Sequence, residues 1–181
     1  MTLGVVLAGG TSARMGRSKA DLPFEGRTFL DRVAFALGAV CDEVVVAGTS
    51  NGYWPELRDE GEAHRGPLSG IVTALGRGSD VLVCAVDHPL VRVETLRGLR
   101  SLADDRPVVP VHDGVPQPTT AWYPASALDH FQSILDAGGF IRRALDDLPV
   151  RWVIDAEWTQ WGEDGSSWLS IDTPEAYAAL G

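Results

Sequence analysis

Lys19 closes a glycine-led turn, Leu7-Ala8-Gly9-Gly10-Thr11-Ser12-Ala13-Arg14-Met15-Gly16-Arg17-Ser18-Lys19, that follows an apolar run at residues 3–7. Two glycines directly after a buried strand let the backbone turn tightly and bring its N–H groups close to an anion. Arg14, Arg17 and Lys19 add three positive charges to a chain of formal net charge −10, and no acidic residue precedes Asp21. This pattern fits a phosphate site on the first loop of an α/β sheet, although basic solvated loops also occur without a ligand. Asp87 stands directly after the apolar residues 81–86 and before His88-Pro89. A carboxylate at that place can hold Mg²⁺ against phosphate oxygens, or it can cap a turn ahead of the proline. The basic loop favours the metal reading, with His88 as a neighbour of the site rather than a ligand. A third turn, Gly66-Pro67-Leu68-Ser69-Gly70, leads into a helix.

These turns need strands to set them side by side. Residues 3–7, 44–47, 81–86 and 108–111 are the apolar strand runs, and the third is nearly unbroken, as expected of a strand covered on both faces. Between them, Thr28 can cap a helix with Phe29, Leu30, Val33 and Leu37 on one side, and further helices are predicted at 68–75 and 94–102. Residues 51–66 are polar, broken by glycine and proline, and predict a loop. Residues 110–124 break the rhythm with prolines, and 119–123 can form a short strand. Leu128, Phe131, Ile134 and Leu135 share one helical side, while Ile141, Ala144, Leu145 and Leu148 share another after Gly138-Gly139. Residues 150–154 predict a late strand, and Thr173-Pro174-Glu175 is a helix start with cap, proline and acid in order. The alternation predicts an α/β fold: three layers around a mostly parallel sheet, with a Rossmann-like nucleotide-binding half. In such a sheet ligands gather beyond the carboxyl ends of the strands, which is where the three turns fall.

With 181 residues and 19.4 kDa the chain is expected to form one domain, residues 1–181. Its acidic balance and pI near 4.7 argue against nucleic acid as a partner. No apolar run reaches membrane-spanning length and no leader pattern is visible, so a cytoplasmic address is expected. Cys41 and Cys84 sit in apolar surroundings and read as small core residues rather than a disulfide. His64, His88, His112 and His130 lack clustered zinc spacing. Trp158, Trp161 and Trp168 can line a ligand pocket or cover the sheet, and packing is the preferred role for most of them. The first turn matches neither G-x-x-x-x-G-K-[ST] nor G-x-G-x-x-G.

Taken in chain order, LAGGTSARMGRSKADLPFEG (7–26), GPLSGI (66–71), CAVDHPL (84–90), VVPVHDGVPQPTTAWYP (108–124), LPVRWV (148–153) and a diverged IDTPEAY (171–177) carry a resemblance over essentially the whole chain. The sequence resembles the molybdenum cofactor guanylyltransferase family of nucleotidyltransferases. That resemblance implies transfer of GMP from GTP to the terminal phosphate of molybdopterin, or of its molybdenum-loaded form, with release of pyrophosphate. It implies Mg²⁺ as cofactor, and cofactor-insertion proteins or molybdoenzymes as further partners. Leu7, Ala8 and Gly9 would give backbone contacts to the nucleotide, with Gly10 in the same turn. Lys19 would neutralise phosphate charge with Arg14 as helper, and Asp87 would coordinate the metal. The family's acidic nucleotide contact falls on Asp59, with Glu60 and Glu62 as neighbouring choices. The nucleotide side would span about 1–105 and the acceptor side about 106–181.

Two departures from the family bear on base and acceptor choice. Where the family often carries an asparagine, this strand ends Val46-Ala47-Gly48, and its asparagine-rich turn is replaced by Ser170-Ile171-Asp172. Asp172 is open to two readings, a second metal-side carboxylate or a turn residue before the Thr173 cap. Gln117, beside Pro118, resembles part of the family's acceptor side and can alternatively brace a proline-rich loop. Arg142 and Arg143 can meet an acceptor phosphate or form a solvated helix face. Cytidylyl transfer to the same acceptor, another NTP-dependent transfer, and a noncatalytic molybdopterin carrier are the competing functions. Lys19 and Asp87 favour an enzyme over a carrier.

Overall fold

In the computed structural model the described residues are 1–9, 18–57 and 66–181. The strands are β1 (Thr2–Ala8), β2 (Pro23–Phe24), β3 (Arg27–Thr28), β4 (Glu43–Gly48), β5 (Glu56–Leu57), β6 (Asp80–Ala85), β7 (Val108–His112), β8 (Val115–Pro116), β9 (Thr120–Tyr123) and β10 (Arg151–Val153). The helices are α1 (Phe29–Gly38), α2 (Pro67–Leu75), α3 (Val93–Ser101), α4 (Leu128–Asp136), α5 (Ile141–Asp146), α6 (Asp155–Trp158) and α7 (Pro174–Ala178).

The main sheet runs β10-β7-β9-β6-β1-β4-β5, with β8 hairpinned onto β7. β1 pairs in parallel with both β4 and β6, β4 with β5, and β7 with β10. β9 runs against β6 and β7, so these two keep the direction of β1. The expected fold class therefore holds: an α/β sheet that is mostly parallel, with helices on both faces.

Burial explains the strand sequences. Every residue of β1 is buried, and its side chains alternate between two cores. Val6 joins Phe29, Leu30, Val33 and Leu37 of α1 and Leu96 and Leu99 of α3 on one face. Leu3, Val5 and Leu7 join Leu68, Ile71 and Leu75 of α2 and Phe131 of α4 on the other. A strand sandwiched in this way has no polar face to show in its sequence. α1 starts where predicted, with the Thr28 side chain accepting a hydrogen bond from Asp31 N at 3.1 Å.

The chain leaves β1 through α1 toward β4 and returns through α2 to β6 on the other side of β1. The strand order thus reverses between β1 and β6, opening a crevice beyond their carboxyl ends. Two glycines permit close packing there. At Gly48, φ is +117°, and a Cβ would lie 2.5 Å from Gly9 N. At Gly70 a Cβ would lie 2.9 Å from the Ala47 Cβ, so glycine lets α2 settle onto the sheet.

In one place the structure differs from expectation, and in others it fills expectation in. The polar stretch after residue 51 contains β5, a two-residue parallel edge on β4. The segment predicted as a short strand is β9, wedged between β6 and β7 with all four residues buried. Trp158 and Trp168 are buried and stack edge-on at 6.1 Å, which is core packing. Both cysteines are free, and burial pushes each thiol up to about 12. Among the described residues, no helix is long and apolar enough to cross a membrane.

Candidate active site

Asp87 follows β6 at the reversal point. Val86 N–H donates to Leu7 O at 3.0 Å and His88 N–H donates to Ala85 O at 3.1 Å, so the turn is tied to β1 and to its own strand. The Asp87 side chain receives the Ser170 hydroxyl at 3.1 Å on Oδ2, and Lys19 Nζ lies 3.4 Å from the same oxygen. Among the described contacts its partners are these distant groups, not the local backbone donors that a turn cap would use.

Lys19 begins a single 3-10 turn, Lys19–Asp21. The flanking apolar residues fix it: Ala20 and Leu22 are buried beneath α1, and Phe29 N–H donates to Leu22 O at 2.9 Å. From this anchor the ammonium reaches both Asp87 and Asp172, with the Asp172 contact the shorter. Burial lowers the pKa of Lys19, but its bond to Asp172 and the attraction of Asp87 outweigh that cost and raise it above the ordinary value.

Asp172 arrives by a third route. Ile171 is buried, and its N–H donates to Asp87 O at 2.8 Å, which straps the segment 170–172 against the end of β6. The following Thr173 caps α7 by accepting from Ala176 N at 3.2 Å. Asp172 therefore precedes the cap while its own side chain turns to Lys19. Burial raises the Asp172 pKa, yet the Lys19 ammonium and the Ser170 hydroxyl overcome it and hold the carboxyl at about 2.

His88 is buried, with Nδ1 2.8 Å from the Thr120 hydroxyl and Nε2 3.9 Å from Asp87 Oδ1. Burial keeps its pKa below the ordinary value despite the pull of Asp87 and Asp172, so the ring is neutral at pH 7. The ring thus stands between Asp87 and Thr120 at the edge of the site.

Two carboxylates and a hydroxyl are hard oxygen donors suited to Mg²⁺ or Mn²⁺, and they converge from separate parts of the chain. The donor set fits such an ion. Leu7 and Ala8 end β1 beside this crevice, and Gly9 follows, exposed. Gly10, Arg14 and Asp59 lie outside the described residues.

The predicted acceptor residues are arranged differently. Gln117 is half-buried and acts within its own turn: its N–H donates to Pro110 O at 2.8 Å and its Nε2 to Val115 O at 3.1 Å. Arg142 and Arg143 are exposed on α5 and form no ion pair among the described residues. Sequence reasoning missed Ser170, whose role depends on the strap beside it. It also missed His112, Asp113 and Asp155 at the ends of β7 and β10, whose ligand atoms lie within 4.8 Å of one another. Asp113 and Asp155 are exposed. Their separation in sequence hides this grouping from any spacing rule.

Among the described residues, the strand-order reversal is edged by Gly9, Lys19 and the paired carboxylates Asp87 and Asp172, the place where α/β sheets of this kind gather ligands. Residues 4–152 match the MobA-like NTP transferase domain. The chain belongs to this family and is related to the molybdenum cofactor guanylyltransferases. A relative from Halalkalibacterium halodurans named "Probable molybdenum cofactor guanylyltransferase" is 32% identical over 192 residues, covering 96% of this chain and 94% of the relative. A protein of the same name from Mycobacterium tuberculosis is 34% identical over 157 residues, covering 80% and 78%. The crystal structure of molybdopterin-guanine dinucleotide biosynthesis protein A from Archaeoglobus fulgidus shares the fold, with a TM-score of 0.84 at 23% identity over 99% of this chain and 96% of that one.

Proposed function

We propose that this chain is a magnesium-dependent guanylyltransferase that moves GMP from GTP onto molybdopterin or its molybdenum-loaded form, releasing pyrophosphate. The observation that carries this reading is the meeting of Lys19, Asp87 and Asp172 at the β1–β6 reversal in a chain of this family. Residues 1–105 then bind the nucleotide, and residues 106–181 shape the acceptor side while contributing Ser170 and Asp172 to the metal side.

The terminal phosphate of the acceptor is a competent nucleophile at neutral pH, so no serine or histidine nucleophile is required. Its oxygen attacks the α-phosphorus of GTP as the bond to the pyrophosphate oxygen breaks. Alignment and neutralisation of charge provide the rate. Lys19 supplies positive charge to the triphosphate, with Arg14 as its helper, and the backbone at Leu7, Ala8, Gly9 and Gly10 cradles the nucleotide. Asp59 is the acidic contact to the nucleotide, and Asp87 and Asp172 are the carboxylates that hold the metal. When bound, Mg²⁺ supplies Lewis-acid stabilisation of phosphate oxygens. On the acceptor side, Gln117 and the exposed Arg142 and Arg143 are the polar groups proposed to meet molybdopterin.

Pyrophosphate release measured with GTP, CTP and ATP, each with and without molybdopterin, tests the assignment. The expected result is release with GTP only when molybdopterin and Mg²⁺ are present. Preference for CTP would make the chain a cytidylyltransferase. Molybdopterin binding without release from any nucleotide would make it a carrier.

A further inference from the structure

Lys19 occupies the place where the two acidic side chains need a positive charge. Its ammonium is bonded to Asp172 and lies 3.4 Å from Asp87 Oδ2, the oxygen that also takes the Ser170 hydroxyl. The Lys19 and Asp87 side chains are only 21% and 23% exposed, so the contact sits within the edge of the site. An ammonium and a divalent cation cannot share these oxygens without strong repulsion at short range. We infer that Lys19 is an internal counter-ion that shuts the Asp87–Asp172 pair to free divalent cations, and that the triphosphate opens the pair by drawing the ammonium onto its own oxygens.

The inference rests on the function proposed above and deepens it by naming what the site admits: a metal accompanied by a triphosphate, not a metal alone. Charge balance gives the reason. With Lys19 in place the two carboxylates and the ammonium sum to one negative charge, a poor match for a dication. Once the ammonium moves to phosphate, two uncompensated carboxylates face the crevice and a dication neutralises them. The anchoring of Ala20 and Leu22 beneath α1 leaves the lysine side chain as the part that changes partner, while the backbone stays fixed.

The test uses Mn²⁺ alone, followed by electron paramagnetic resonance of the free ion, with full-length protein and no nucleotide. Lys19→Met and Lys19→Gln are expected to bind Mn²⁺ at least about tenfold more tightly than the wild type. Lys19→Arg, which keeps the charge, is expected to bind like the wild type. Adding Asp87→Asn to Lys19→Met should abolish the gain. Equal or weaker Mn²⁺ binding by both uncharged variants, with melting curves showing them folded, overturns the inference.

Pyrophosphate release by the wild type, measured in the same preparations, separates the two claims. Magnesium-dependent release from GTP without any gain in Mn²⁺ affinity overturns the counter-ion role alone. A gain in Mn²⁺ affinity without release from any nucleotide overturns the proposed reaction and leaves the counter-ion role standing.

Discussion

The ends of β1 and β6 and the ends of β7 and β10 lie along one edge of the same sheet, yet they are built in opposite ways. At the first, charged groups from three distant parts of the chain turn toward one another: Lys19, Asp87 and the 170–172 strap. At the second, His112, Asp113 and Asp155 gather with their ligand atoms within 4.8 Å of one another, two of the three exposed, and the other polar groups serve their own turns or face solvent. Gln117 braces the β7–β8 hairpin, and Arg142 and Arg143 project from α5 without ion pairs among the described residues. The first edge thus has its charged groups gathered in one place, paired with one another in the absence of a ligand. The second offers backbone shape and mostly solvated charge.

The sharpest way to break this contrast is Asp87→Asn, which leaves size and shape almost unchanged. Turnover is expected to fall about a hundredfold or more with little change in melting temperature. Near-normal turnover with normal magnesium dependence would move the chemistry elsewhere. Next in size, Lys19→Ala is expected to remove the proposed charge-assisted phosphate contact, about 2 kcal/mol or a GTP affinity loss of roughly thirtyfold. Parallel titrations should leave molybdopterin binding nearly constant, and a loss confined to molybdopterin would reverse the assignment of sides. Gly48→Ala tests the backbone packing of the same edge. A Cβ there meets Gly9 N at 2.5 Å with φ at +117°, so a loss of about 1–3 kcal/mol in unfolding free energy is expected by denaturant titration.

On the acceptor side, Gln117→Ala should weaken molybdopterin binding by roughly tenfold and GTP binding much less, consistent with about 1–3 kcal/mol for an amide's hydrogen bonds. Equal loss of both with a lower melting temperature would mean that Gln117 only braces its turn. The smallest effect concerns acid stability. The Asp172 pKa is depressed in the folded chain, so its contribution to stability is present above the ordinary 3.8 and is lost as pH falls toward about 2. Asp172→Asn should flatten the stability profile within that window, as followed by thermal melts at stepped pH. A profile parallel to the wild type would remove Lys19 as a partner that matters in solution.

Much of the first edge was legible because its elements are strongly patterned. The apolar runs at 3–7, 44–47 and 81–86 fall inside β1, β4 and β6, apart from Val86, which follows β6. Thr28 caps α1 as its side chain and position suggest. Lys19 and Asp87 could be singled out because glycine turns and strand ends announce where ligands gather. Their mutual contact could not, since 68 positions separate them and only the parallel pairing of β1 with β6 closes that gap. β5 escaped notice because two residues carry no period, and its pairing comes from β4 rather than from its own sequence. The place of β9 was hidden for a related reason. Its four buried residues mark it as a strand, but nothing local says that it runs antiparallel between β6 and β7. Ser170 is an ordinary serine until the Ile171 strap sets it beside Asp87.

That strap has a consequence for how the protein comes into being. Lys19 and Asp172 are 153 positions apart, and a contact of such range carries a large loop-closure cost and forms only after the intervening strands have ordered. A chain emerging from the ribosome exposes Lys19, and later Asp87, well before residue 172 has been made. Vectorial synthesis therefore delays the last carboxylate until the strands that present the others have been made, and the polar cluster is completed by the docking of the strap.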